Sequence, residues 1–361
     1  MAEVNDRQSA LRWWVVPVFG LLLIALAAAM WLLRGAGSAG PVAIDSGRFT
    51  IMGTFARIRI EASAADAGKE ALARAMTALD DVDRRLSTYR EDSELSQVNR
   101  DAAERPVAVS AETLMVLERS LEYSRETDGA FDITVVPLLA LWKQAAREGR
   151  MPTDDQIAAA QQHVGWAKVR LSASPPMVRF VEDGVRLTVD AIAKGHAVDR
   201  ALDAIRGPGV TAGLVDIGGE VASFGRRWTV GVQDPFAAEA GDALGEEAGW
   251  RIGLTDAAVA TSGNYRRYVT IGDRKFSHIV DPRTGRPAEK LPSVTVIAPR
   301  TIDADALATA VSVLGPQEGL ALIERIEGVE ALLVAGSKDA PQTLRSSGFA
   351  RFELAQPEVT P

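Results

Sequence analysis

The sequence predicts an α+β domain preceded by one membrane-spanning helix. Three observations support this. Strand-like segments come in runs followed by pairs of helices, rather than in strict β-α-β alternation. No stretch inside 45–350 has the Gly/Pro/Ser composition of a linker, so one compact unit is expected there. Finally, Trp13–Leu33, WWVVPVFGLLLIALAAAMWLL, runs for 21 residues without a charge. That length crosses about 30 Å of hydrocarbon as a helix.

The chain has 361 residues, 47% hydrophobic and 24% charged. This is globular composition, with length for one large domain. A formal charge of −8 and a pI near 5.2, without a basic stripe, argue against nucleic-acid binding. There is no cysteine, which excludes thiolate catalysis, disulfides, zinc–cysteine sites and a lipoprotein anchor. The three histidines, His163, His196 and His278, lie far apart. Any metal would therefore have mostly oxygen ligands, as magnesium and calcium do.

Residues 1–12 read as a cytoplasmic N-terminus and 13–33 as the anchor. Trp13, Trp14 and Trp31 sit at the two ends of the run, where aromatic rings settle at membrane interfaces. Arg7 and Arg12 precede it and Arg34 follows, which places the main domain on the periplasmic side of the inner membrane. The competing reading is a signal peptide cleaved near Gly35–Gly40. Its apolar region would be shorter, about 7–15 residues. Residues 34–47 read as a linker, 48–350 as the domain and 351–361 as a disordered tail.

Along the domain, Phe49–Ile60 alternates like a strand and is interrupted at Met52-Gly53-Thr54. Ala65–Leu86 and Ser110–Thr127 carry apolar residues at helical spacing. Ser110, with Thr113 rather than Glu three residues on, makes half a capping box. Gln156–His163 reads as a helix, and Val169–Leu171, Val178–Val181 and Val185–Val189 as strands. Ile192–Arg206 is helical, and Ala212–Ile217 is a strand running into Gly218-Gly219. Trp228–Gln233, Trp250–Leu254, Ala258–Thr261, Tyr268–Ile271 and Val294–Ile297 continue the strands. Ala304–Leu314 and Glu318–Ile326 are helices, and Ala331–Ala335 is the last strand.

Five segments carry candidate chemistry. In DADALATAVSVLG, Asp303–Gly315, nearly every residue is apolar except Asp305, Thr309 and Ser312, which share one helix face. Asp305 with Thr309 is a hard-oxygen pair suited to magnesium. Alternatively, Asp303 caps the helix and Asp305 favours its positive end. In FSHIVDPRTGR, Phe276–Arg286, His278 has the chemistry of a general base, and Asp281 either orients a partner or opens a turn. In TVDAIAKGHAVD, Thr188–Asp199, small residues and Lys194 suit an anion where a strand meets a helix; a tight turn explains them equally well. In LSTYREDSELSQVN, Leu86–Asn99, Tyr89 either stacks on a planar ring or lies on a surface loop. Ala130-Phe131-Asp132 offers ring contact plus a carboxylate, or simply a core edge.

The order of these segments is more specific than any one of them. The series Met52-Gly53-Thr54, Leu86-Ser87-Thr88-Tyr89, Phe131-Asp132-Ile133-Thr134, Ala191-Ile192-Ala193-Lys194-Gly195, Asp216-Ile217-Gly218-Gly219, Thr261-Ser262-Gly263-Asn264-Tyr265, His278-Ile279-Val280-Asp281-Pro282 and Ala304-Asp305-Ala306-Leu307 with Thr309 closely resembles the ApbE family of FAD:protein FMN transferases. The resemblance implies a T-fold-like α+β architecture. It also implies cleavage of FAD, release of AMP and attachment of FMN through a phosphoester to a Thr or Ser of an acceptor protein. By the same resemblance, Met52, Tyr89, Ala130, Phe131, Asp132, Thr188, Lys194, His278 and Ile279 contact FAD. Asp305, Thr309 and the main-chain carbonyl of Ala191 hold magnesium, and His278 is the base. Thr188 stands where many members have Asp, Asp190 where a small residue or Asn is usual, and His196 where Tyr is common. No acceptor-like sequence occurs in the chain, so the acceptor is expected to be another protein. A flavin-delivery protein without activity and a magnesium-dependent FAD pyrophosphatase are the alternatives.

Overall fold

The computed structural model describes residues 40–237, 248–263 and 268–355. The apolar run 13–33, Tyr265 and 356–361 lie outside them. Among the described residues no helix is long and apolar enough to cross a membrane. The chain divides into two units, Met1–Val42 and Ala43–Pro361; the second holds the elements described next, from the second residue of β1 onward.

β1 (Val42–Asp45), β2 (Phe49–Ile51) and β3 (Thr54–Ala62) lead into α1 (Ala65–Leu86), α2 (Glu94–Asp101), β4 (Val107–Ala108) and α3 (Ala111–Glu126). α4 (Val136–Glu148) and α5 (Asp154–Gln161) follow, then β5 (Val169–Ala173), β6 (Pro176–Phe180) and α6 (Ala193–Ile205). The strands β7 (Val210–Ile217), β8 (Glu220–Phe224), β9 (Trp228–Gln233), β10 (Ala248–Leu254), β11 (Ala258–Gly263), β12 (Tyr268–Ile271), β13 (Arg274–Ser277), β14 (Val280–Asp281), β15 (Arg286–Pro287) and β16 (Ser293–Ala298) come next. α7 (Thr301–Leu314), α8 (Pro316–Ile323), β17 (Glu330–Ser337) and β18 (Ala340–Arg345) complete the domain.

The main sheet runs β1-β3-β7-β8-β11-β16-β17-β18, with β2 paired onto β3. Its strands are apolar on both faces, and the period of two separates them. Val215, Ile217, Ala222, Phe224, Ala260, Val294 and Val296 face the helices α1, α6 and α7. Leu214, Val221, Val259, Ile297 and Leu332 face the other way, onto Trp228, Val232, Ile252 and Phe349. Each such side chain contributes about 1.5–3 kcal/mol when fully buried. A satellite cluster joins Leu138 and Trp142 of α4 to Ile157 of α5 and Phe276 of β13.

Several expectations are corrected. Val185–Val189 alternates correctly, with Val185, Leu187 and Val189 buried, but it is not a strand. The Asn99 side chain stands in for a neighbouring strand: its Nδ2 donates to the Leu187 carbonyl (2.9 Å) and its Oδ1 accepts the Leu187 N–H (2.7 Å). Val42–Asp45, assigned to the linker, is a strand. Glu94–Asp101, within the segment expected to be either a stacking site or a surface loop, is a helix. Ser93 caps it, and Leu95 and Val98 are buried. Val136–Glu148 is also a helix. Pro137 sits in its first turn, and Leu138, Trp142 and Ala145 make a buried stripe. At the C-terminus Phe349 is wholly buried and Glu353 bridges to Ile252, so residues 351–355 belong to the domain. The half capping box at Ser110 is completed from elsewhere: Glu94 accepts both the Ser110 N–H (2.8 Å) and its hydroxyl (2.9 Å).

One junction positions the later site. The α7 N-terminus begins at Thr301, and its N-cap residue Arg300 makes no side-chain cap. Asp199 of α6 does this from outside. Its oxygens accept the Thr301 N–H (2.8 Å) and the Ile302 N–H (3.1 Å). The helices meet so closely that a Cβ on Gly195 would lie 2.4 Å from the Thr301 carbonyl oxygen. Asp199→Ala is expected to lower stability by about 2 kcal/mol through two lost cap bonds. Urea denaturation checks this: the midpoint falls while the slope stays unchanged.

Candidate active site

A cavity of about 320 Å3 opens where the ends of β7, β8 and β11 meet the start of α6 and the first turns of α7. Its other walls come from Ala130–Ile133, the Thr188–Ala191 turn and His278–Val280.

From α7, Asp305, Thr309 and Val313 line the cavity as a stripe four residues apart. Ser312, expected on the same face, instead donates to its own helix at the Ala308 carbonyl (2.8 Å). Asp303 is not a cap. It accepts hydrogen bonds from Arg119 Nε (3.0 Å) and the Tyr123 hydroxyl (2.8 Å).

Asp305 is 2% exposed and Glu220 4%. Asp305 Oδ2 accepts the Gly195 N–H at 2.9 Å, and Oδ1 lies 3.6 Å from Lys194 Nζ. The same ammonium donates to Glu220 Oε1. Two buried carboxylates thus share Lys194. Burial, opposed by Lys194 and reinforced by the Glu220 charge, pushes the Asp305 carboxyl up to about 6. Glu220 Oε2 is buried without a donor. The Thr309 and Ser262 hydroxyls are 3.3 Å apart beside this cluster.

These residues suit a hard divalent cation. They offer two carboxylates, one with an orphaned oxygen, a threonine hydroxyl and the nearby Ala191 main chain. Among the described residues no group of three His, Asp or Glu side chains converges. Hydroxyl, carbonyl and water ligands would complete the shell, as magnesium tolerates.

The facing wall is braced by its own polar groups. Asp132 Oδ1 accepts the Thr134 N–H (2.8 Å) and hydroxyl (2.6 Å), and Oδ2 accepts the Trp166 N–H (2.8 Å). Burial raises its pKa. The Thr188 hydroxyl accepts the Asp190 N–H (3.2 Å) and so shapes the turn that presents Ala191. Asp281 accepts the Arg283 N–H (2.9 Å) and closes a turn.

Of the residues singled out in the sequence, Ala130, Phe131, Asp132, Thr188, Ala191, Lys194, His278, Ile279, Asp305 and Thr309 all line the cavity. Met52 and Tyr89 do not. Met52 occupies a left-handed turn position (φ 47°) two residues before Thr54, which does line it. Tyr89 is 81% exposed. His196 is buried in the core against Glu112 (3.0 Å), and burial lowers its pKa. Sequence reasoning missed Glu220, Ser262 and Gly231–Gln233. A signal existed for Glu220, a lone carboxylate heading the apolar strand EVASF.

Fold and cavity together define an α+β protein with a buried, charged, oxygen-rich cleft at the edge of its helix layer. The ApbE family model matches residues 52–333, and the chain belongs to the ApbE family. Curated relatives named FAD:protein FMN transferase include one from Treponema pallidum, 31% identical over 85% of this chain and 90% of its own length. Another, from Vibrio cholerae, is 34% identical over 76% and 82%. Among solved structures, apo flavinyl transferase ApbE from Pseudomonas stutzeri superposes with a TM-score of 0.73 at 30% identity, covering 88% of this chain and 98% of that one. The apbe protein from Thermotoga maritima gives 0.74 at 29%, covering 87% and 100%.

Because its carboxyl is raised from 3.8 to about 6, Asp305 binds a proton more tightly folded than unfolded. Its contribution to stability therefore falls as pH rises through that interval. Asp305→Asn removes the penalty while keeping an acceptor for Gly195. Cation-free Asp305→Asn is expected to match the wild type below pH 4 and to exceed it above pH 6 by up to about 3 kcal/mol, a rise of several degrees in midpoint. Thermal unfolding at both pH values in chelator checks this.

Proposed function

We propose that this chain transfers FMN from FAD to a Thr or Ser hydroxyl of an acceptor protein, with magnesium, releasing AMP. The observation that carries this is the Lys194–Asp305–Glu220 cluster at the floor of a cleft, in a member of a family whose curated relatives are named for this reaction. The acceptor oxygen bonds to the FMN-side phosphorus, the bond from that phosphorus to the bridging oxygen breaks, and that oxygen leaves on AMP. The hydroxyl proton passes to His278, an imidazole suited to general-base work. Lys194 presents a positive point charge to the phosphates. Phe131 and Ile279 offer apolar walls to the flavin, while Ala130, Asp132 and Thr188 hold that wall in place. Asp305, Thr309 and the Ala191 carbonyl are the magnesium ligands in this proposal. Magnesium, when bound, neutralises diphosphate charge, the main requirement of phosphoryl transfer. The uncharged run 13–33 with its flanking arginines supports anchorage in the inner membrane, the domain lying on the periplasmic side.

Incubating the full chain with FAD, magnesium and a panel of exported proteins tests this. A covalently fluorescent acceptor in a denaturing gel, with equimolar AMP, is the expected result. Free FMN without a labelled acceptor would instead favour hydrolysis, and the absence of both products would overturn catalysis. His278→Ala is expected to slow transfer by about 10²–10⁴-fold.

A further inference from the structure

Glu220 is the buried charge that the proposed reaction leaves without a role. The tight turn at Gly218 (φ 70°) and Gly219 (φ 104°) closes the β7–β8 hairpin, and Ile217 pairs with Glu220 across it. The alternation of β8 then fixes the direction of the side chain. Ala222 and Phe224 face the helices while Val221 faces away, so Glu220 points to the helix side, where Lys194 and Asp305 stand.

A carboxylate on a core-facing strand position is costly unless it is paired or ligating. Pairing accounts for only half of this one. Lys194 meets Glu220 Oε1 and also lies beside Asp305, so one ammonium faces two carboxylates. Glu220 lines the cavity, and its Oε2 is buried with no hydrogen-bond donor. A third feature adds to this. Ser262 and Thr309 place two hydroxyl oxygens on the same side of the cavity. The excess of buried oxygen over protein donors matches a small divalent cation that keeps some of its water.

We propose that Glu220 Oε2 is a direct ligand of the divalent cation held by Asp305 and Thr309. Lys194, bridging the two carboxylates, supplies the countercharge when the cation is absent. The inference rests on the cation site of the proposed function and adds a ligand to it.

Mn2+ and Tb3+ are the probes, titrated into the full chain without FAD. Glu220→Gln is expected to weaken Mn2+ binding, read by EPR of free Mn2+, by about 10–100-fold. Tb3+ luminescence lifetimes in H2O and D2O are expected to report about one additional bound water, the replacement for a lost oxygen in a cation shell that readily takes water. Unchanged Mn2+ affinity would overturn the proposal. So would weaker binding with no added water, because Glu220 would then act only at a distance. Asp305→Asn separates the two levels. If it abolishes Mn2+ binding while Glu220→Gln does not alter it, the site stands and the added ligand falls. If neither variant alters binding, the cation site itself fails. Should Glu220→Gln not fold, Glu220→Asp keeps the charge but withdraws the oxygen by one methylene. It is expected to weaken Mn2+ and gain the water, and an unaltered Glu220→Asp would equally overturn the assignment.

Discussion

Two buried carboxylates and the half-buried ammonium between them set the character of this protein. Asp305 comes from α7, Glu220 from β8 and Lys194 from α6, so the cluster ties three elements of the fold together. Its imbalance is unfavourable for the fold alone. A buried charge short of a partner raises a carboxyl pKa and costs stability. The same imbalance suits a site that receives a cation and a diphosphate, since both bring the charges the cluster lacks.

The surrounding architecture keeps these groups apart by small, rigid distances. Gly195 lets α6 approach α7 until backbone meets backbone, and its N–H holds one Asp305 oxygen. Asp199, one helical turn further along α6, caps α7 and fixes its start. Across the cavity, Asp132 uses both oxygens on Thr134 and Trp166. That wall is therefore preorganised by hydrogen bonds within the chain, and its apolar residues are free to meet a planar ring. Preorganised positioning matters most where chemistry proceeds by charge placement rather than covalent help.

Much of this was legible in the residues. The limits of α1 coincide with the apolar periodicity of Ala65–Leu86, and the Asp305–Thr309 stripe faces the cavity as its spacing implied. What the sequence concealed has physical causes. Val185–Val189 shows strand alternation, but Asn99 supplies its hydrogen bonds, and no local pattern announces a side chain 88 residues away. Asp303 looks like a cap, but the cap is Asp199, brought in by packing of another helix. Glu220 gave a faint signal as one charge heading an apolar strand, but its meaning depends on Lys194 and Asp305, which only the tertiary fold brings near. Met52 was singled out by resemblance alone and Tyr89 also by its ring, and neither lines the cavity.

The central claim is that the Asp305 cluster is a divalent-cation site facing the phosphates of FAD. Anomalous diffraction from crystals of the protein soaked with Mn2+ and FAD tests it most directly. The account predicts a manganese peak in contact with the Asp305 carboxylate and the Thr309 hydroxyl, with the diphosphate beside Lys194. A peak elsewhere, or FAD bound with its phosphates turned away from Lys194, would contradict it.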